Sequence, residues 1–63
     1  MIAVWTTRDR RNLPVGAMEE DHVRRALNDL ERGAIRRPEC NGLTNREWTL
    51  VFKAELLRRS RSK

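Results

Sequence analysis

The chain has 63 residues, 38% of them hydrophobic and 37% charged, with a net charge of +5 at neutral pH. That allows one domain with one compact core, which at this size supplies no more than about 3–5 kcal/mol. Cys40 is the only cysteine, so no internal disulfide can reinforce it; no run approaches the roughly 20 apolar residues of a membrane span, and no signal-peptide core opens the chain, which points to a soluble protein of the host-cell cytoplasm.

Residues 2–15 read as a β-hairpin. Ile2, Val4 and Thr6 alternate with Ala3, Trp5 and Thr7, and both sets contain strand formers. Arg8-Asp9-Arg10-Arg11-Asn12 forms the turn, and Leu13-Pro14-Val15 the return strand. Pro14 has no N–H to donate, which confines that strand to an edge or to a very short length.

Gly16 ends the extended run, and a helix is expected over about 19–32. Glu19, Glu20 and Asp21 in its first turn complement the positive end of the helix dipole. Val23, Ala26, Leu27 and Leu30 recur at the spacing of a helix lying on a core, with Arg24, Arg25, Asn28 and Arg32 opposite. Arg32-Gly33 supplies a last-turn cation and a C-cap glycine. Residues 33–43 read as a loop punctuated by Gly33, Pro38 and Gly42, which Ile35 and Leu43 pin to the core.

Thr44-Asn45-Arg46-Glu47 matches a capping box, and a second helix is expected over about 45–59 before a basic tail at 60–63. Trp48, Phe52 and Leu56 make one apolar stripe, while Leu50, Ala54 and Leu57 make another on the far side. A helix apolar on two sides must be covered on two sides. The first stripe can dock on the hairpin and first helix. The second needs a partner, most simply another copy of the chain, which makes Leu50, Ala54 and Leu57 candidate self-association residues of a homodimer. The alternative is a scatter of surface leucines. The expected architecture is therefore α+β, with order β-β-α-α in a single domain over 1–63.

Charge is uneven along this plan. Residues 1–15 carry a balance of +2, residues 16–33 one of −2, residues 34–47 one of +1 and residues 48–63 one of +4. Twelve of the fourteen cations are arginine, whose planar fork suits carboxylates and phosphates. Arg8, Arg10, Arg11, Arg36, Arg37, Arg58, Arg59 and Arg61 are the candidate partner-binding residues. Converting Arg58 and Arg59 to glutamate is expected to weaken binding without unfolding the domain. Trp5, Trp48 and Phe52 are the only aromatic residues, and two of them lie on the core stripe of the second helix, so a base-stacking platform is not expected.

Catalytic chemistry finds little support. His22 is the only histidine, and nothing around Pro38-Glu39-Cys40-Asn41 resembles a nucleophile with its base, orienting group and oxyanion pocket. One cysteine and one histidine fall short of a four-ligand zinc site. The three glycines stand in no phosphate-binding pattern. Glu55, beside the Trp48–Phe52 stripe, reads as half of an ion pair with an arginine at the core edge. A non-enzymatic protein without metal or cofactor is the expectation.

Residues 5–32 resemble a group of small phage and prophage proteins of mostly unassigned function, with the pattern W-T-x-[KR]-D-G-[RK]-x-[IL]-P-[IV]-x-x-M followed by H-[LV]-x-N-[AT]-[IL]-x-x-L-x-R. Trp5, Thr6, Arg8, Asp9, Pro14, Val15, Met18, His22, Val23, Ala26, Leu27, Leu30 and Arg32 occupy those places. Arg10 stands where the pattern has its turn glycine, and Arg25 where it has asparagine. The resemblance implies a phage or mobile-element origin. Very small phage proteins without enzyme signatures often bind a host machine and block it, anti-CRISPR inhibitors of host defence among them.

Two functions follow as expectations. The first is an inhibitor that binds a host or defence protein complex, since Trp and Arg are typical interface anchors. The second is a basic nucleic-acid-binding module. Its best form is a ribbon-helix-helix dimer, because Gly42-Leu43-Thr44-Asn45-Arg46-Glu47 resembles the start of that fold's second helix. Pro14 and the long 33–43 loop oppose that form. A helix-turn-helix fails as well, because its helices meet over only about 3–4 residues.

Overall fold

The computed structural model describes residues 3–36 and 38–61. Ile2 of the expected hairpin, Arg37 of the candidate arginines and residues 62–63 of the expected tail lie outside them. The order is β1 (Val4–Thr6), β2 (Asn12–Pro14), a 3₁₀ turn (Val15–Ala17), α1 (Glu20–Glu31) and α2 (Asn45–Arg61). The β-β-α-α plan read from the sequence is the plan of the molecule.

The strands pair antiparallel, with Val4, Trp5 and Thr6 opposite Pro14, Leu13 and Asn12. The Val15 N–H donates to the Ala3 carbonyl (2.9 Å) and the Thr7 N–H to the Arg11 carbonyl (2.8 Å). Hydrogen-bonded and non-bonded pairs alternate along such a ladder. Pro14 therefore falls at a non-bonded position, where its missing N–H takes nothing from the sheet. The return strand ends at Pro14 rather than Val15, whose side chain is buried as the chain turns into the 3₁₀ segment. In a ribbon-helix-helix dimer the strands pair between chains, whereas β1 here pairs with β2 of its own chain.

The hairpin loop is Arg8–Arg10, a turn followed by a left-handed residue. The Arg10 N–H donates to the Thr7 carbonyl (3.0 Å), and Arg10 has φ +66°. The buried Thr7 hydroxyl accepts from the Arg11 N–H (3.0 Å) and donates to the Asp9 carboxylate. A side chain bearing Cβ in the left-handed region costs about 1 kcal/mol. Arg10→Gly is thus expected to raise stability by about 0.5–1 kcal/mol, read as a higher urea midpoint at unchanged slope.

α1 buries Val23, Ala26 and Leu30, with Leu27 half-buried against the same core. It ends in a Schellman arrangement: Gly33 N–H to Leu30 carbonyl (3.2 Å) and Ala34 N–H to Asp29 carbonyl (2.9 Å), with Gly33 at φ +74°. Ile35 and Leu43 pack against the core from the loop.

That loop contains an ordered turn that its Gly and Pro punctuation conceals. Cys40 and Leu43 exchange backbone hydrogen bonds (2.8 and 3.1 Å) around Asn41 and Gly42, at φ +51° and +86°. Positive φ at both central residues is the geometry that Asn-Gly favours. The Asn41 side-chain amide donates to the Val4 carbonyl (2.7 Å) and the Thr6 hydroxyl (3.0 Å). Val4 sits opposite Pro14 in a non-bonded pair, so its carbonyl points away from β2, and Asn41 covers that open edge.

The capping box closes reciprocally: Glu47 N–H to Thr44 hydroxyl (3.2 Å), Thr44 N–H to Glu47 carboxylate (3.0 Å). α2 then runs to Arg61, so the first residues of the expected tail are helical. Lys53 pairs with Glu31 at the end of α1 (3.4 Å), while Arg59 reaches the Met18 carbonyl before its start (2.6 Å); the helices are antiparallel. Trp48 and Phe52 are fully buried, and Trp5 meets both rings edge-on at 5.0 Å between centroids. The Trp48 indole N–H donates to the Cys40 carbonyl (2.8 Å), which satisfies the one polar atom of the ring.

Candidate functional site

Two surfaces carry chemistry, and they share no residue. The first is the outer face of α2. Leu50 and Leu57 are 63% and 54% exposed, and Ala54 is exposed between them. At about 100° per residue, Arg61 falls on the same strip and Arg58 on its border. Ala54, Leu57, Arg58 and Arg61 together line a shallow open depression. Residues expected to self-associate and residues expected to bind a partner thus form one surface. Arg46 and Lys53 flank it as well.

Arg58 and Arg59 look equivalent in the sequence and are not. Arg58 donates twice to Glu55 (3.1 and 2.6 Å) with its side chain 61% exposed. Arg59 is 18% exposed; it pairs with Glu55 (2.6 Å) and donates to the carbonyls of Val15 (3.2 Å) and Met18 (2.6 Å). Arg59 ties the end of α2 to the segment before α1. It is a structural anchor, with little of its side chain exposed to a partner, and charge reversal there would break contacts that hold the fold. Glu55 is only 11% exposed, and hydrogen bonds from Arg58 and then Arg59, opposed by burial, lower its pKa from 4.5 to about 2. The ion pair inferred for Glu55 is a triad with both arginines.

The second surface is a groove of about 610 Å³ between the hairpin and α1. Arg8, Asp9 and Arg11 contribute from the hairpin turn, and His22, Arg25 and Asp29 from α1. Trp5, Leu13 and Ile35 are among its apolar lining. Asp9 pairs with Arg11 (3.1 Å), and its pKa is lowered, chiefly by the Thr7 hydroxyl. Asp29 pairs with Arg32 (2.9 Å). Arg10 and Arg36 are exposed but do not line the groove, and neither do Arg58, Arg59 or Arg61. The two basic ends of the chain therefore do not converge on one concavity. Arg25, half of the Arg24-Arg25 doublet in the sequence, is not among the candidate partner-binding residues, yet it lines the groove. The i, i+3, i+7 spacing of His22, Arg25 and Asp29 on α1 is the signal that could have placed it there.

His22 and Cys40 belong to different places. His22 is half-buried in the groove, while Cys40 is buried in the core and absent from the groove lining. Among the described residues no three His, Cys, Asp or Glu side chains gather as a metal site would require, and no helix is long and apolar enough to cross a membrane. Compared with protein-family models, with curated proteins and with solved structures, the chain finds no match in any of the three.

Proposed function

We propose that this chain is a small non-enzymatic phage or mobile-element protein that binds a host macromolecular complex in the cytoplasm and blocks it by covering a working surface, in the manner of an anti-CRISPR inhibitor. The observation that carries the binding half of this reading is the outer face of α2. The core closes around Trp5, Trp48 and Phe52 without it, which leaves Leu50, Ala54 and Leu57 exposed beside Arg58 and Arg61. Two large aliphatic side chains bordered by arginines suit a protein interface, with apolar anchors at the centre and a polar rim. The anti-defence half rests on the resemblance of residues 5–32 to phage proteins.

A second copy of the chain fits this face less well than a different partner. Lys53 and Arg58 beside the strip already pair with Glu31 and Glu55, and Glu47 accepts from Thr44, whereas Arg46 and Arg61 have no carboxylate partner among the described residues, so a self-contact brings unanswered cations together. Nucleic acid is served by the net charge of +5, but the aromatic rings that would stack on bases are at most 4% exposed.

The test is an affinity pull-down of tagged protein from host lysate, with and without nuclease, beside Leu50→Glu combined with Leu57→Glu. Both positions are exposed, so that double variant is expected to keep the wild-type circular dichroism and to lose less than about 1 kcal/mol of stability. A stoichiometric protein partner that survives nuclease and is lost by the double variant is the expected result. Recovery of nucleic acid alone, or binding indifferent to both substitutions, would overturn the proposal. Sedimentation velocity on the same samples distinguishes a heteromeric partner from a homodimer.

A further inference from the structure

We infer that the groove between the hairpin and α1 is a second recognition site, which takes a short acidic and apolar peptide segment of a partner protein. Arg8 and Arg25 stand on opposite walls, one on the hairpin turn and one on α1. Both are exposed, and among the described residues neither has a carboxylate partner. The two acids of the groove are already engaged, Asp9 with Thr7 and Arg11 and Asp29 with Arg32. The unanswered charge in the groove is therefore the pair of guanidinium groups, whose forks match carboxylates two donors at a time.

Between those walls the lining is apolar. Leu13 and Ile35 are half-buried, and Trp5 contributes beside them. A segment with aliphatic side chains set next to carboxylates meets both features, its apolar atoms on Leu13 and Ile35 and its acids on Arg8 and Arg25. A nucleic-acid strand could meet the arginines with its phosphates but has nothing to set on the apolar lining. Trp5 is 4% exposed with its ring committed to Trp48 and Phe52, so it offers no face for stacking. Asp9 and Asp29 would repel an unbroken row of phosphates, whereas a peptide can place its acids singly.

The site is independent of the outer face of α2, and the two can fail separately. The test is a titration of the ¹⁵N-labelled full chain, followed by amide and indole resonances, with a short acetylated peptide alternating glutamate and leucine. A single-stranded oligothymidylate and inorganic phosphate serve as rival probes. Saturable shifts at Thr7, His22, Arg25, Ile35 and the Trp5 indole, with the peptide alone, are the expected result. Arg8→Glu combined with Arg25→Glu turns two exposed attractions into repulsions. It is expected to weaken the peptide on the order of tenfold while leaving the Trp48 indole resonance in place. The inference is overturned if the shifts fall on Leu50, Ala54 and Leu57, if nothing saturates, or if oligothymidylate or phosphate moves the groove resonances as strongly as the peptide. An unchanged peptide affinity in the folded double variant would also overturn it.

Discussion

Trp48→Ala is expected to leave the chain unfolded under conditions in which the wild type is folded. Removing a buried tryptophan costs about 3–5 kcal/mol, comparable to everything a core of this size supplies. Trp48 is fully buried, packs against Trp5 and Phe52, and holds the Cys40–Leu43 turn through its indole N–H. Its loss opens a cavity and at the same time frees the turn whose Asn41 covers the edge of β1. Trp48→Phe separates these contributions. It retains much of the ring volume and loses only the hydrogen bond and part of the packing, so a folded but weakened domain is expected. Far-UV circular dichroism with urea titration reads both variants. A Trp48→Ala chain of wild-type stability would show that the core is not organised around this ring.

The second large effect is expected at Glu55, and it carries a pH signature. Its pKa is about 2 in the folded chain, against an ordinary value of 4.5. A carboxylate lowered by folding contributes stability that is fully present above the unfolded value and lost as pH falls through the folded one. The loss therefore spreads between about pH 4.5 and 2. Arg58 holds its half of the triad in solvent, which screens the pair, so the contribution is about 1–2 kcal/mol rather than the full value of the shift. Glu55→Gln is expected to lower the urea midpoint at neutral pH and to shrink the acid limb. The limb does not vanish, because Glu47, lowered by its hydrogen bonds from Thr44, and Asp9, lowered by Thr7, titrate in the same direction. Urea midpoints at neutral pH and on stepwise acidification check this. Equal acid sensitivity in wild type and Glu55→Gln would remove the triad from the stability of the fold.

Much of this architecture is legible in local sequence because its causes are local. The stripe Val23, Ala26, Leu27 and Leu30 and the reciprocal Thr44–Glu47 cap are decided by residues within one or two helical turns of each other. The Asn41-Gly42 turn was equally legible, since Asn-Gly is a strong signal for two residues at positive φ. Reading residues 33–43 as loop punctuation passed over it. Arg10 shows the opposite case. A glycine is what the turn asks for, and the sheet pairing on either side holds an arginine in the left-handed region instead.

The arginines mark where local reading stops. Arg58 and Arg59 stand three and four residues after Glu55, and both spacings bring a cation within reach of that carboxylate on a helix. Nothing between positions 55 and 59 says which of the two is also drawn into the fold. That is decided by the Val15–Met18 segment, which crosses the end of α2 and offers two carbonyls to Arg59 alone, across 44 and 41 positions of sequence. The groove has the same origin, because Arg8 and Arg25 border one concavity only when the hairpin and α1 pack on their shared core. Periodicity and capping are governed by neighbours along the chain, so the amino-acid sequence alone dictates the elements and their buried faces. Whether a charged side chain anchors the fold or remains available to a partner depends on which distant backbone groups arrive beside it, and only the packed tertiary structure brings them there.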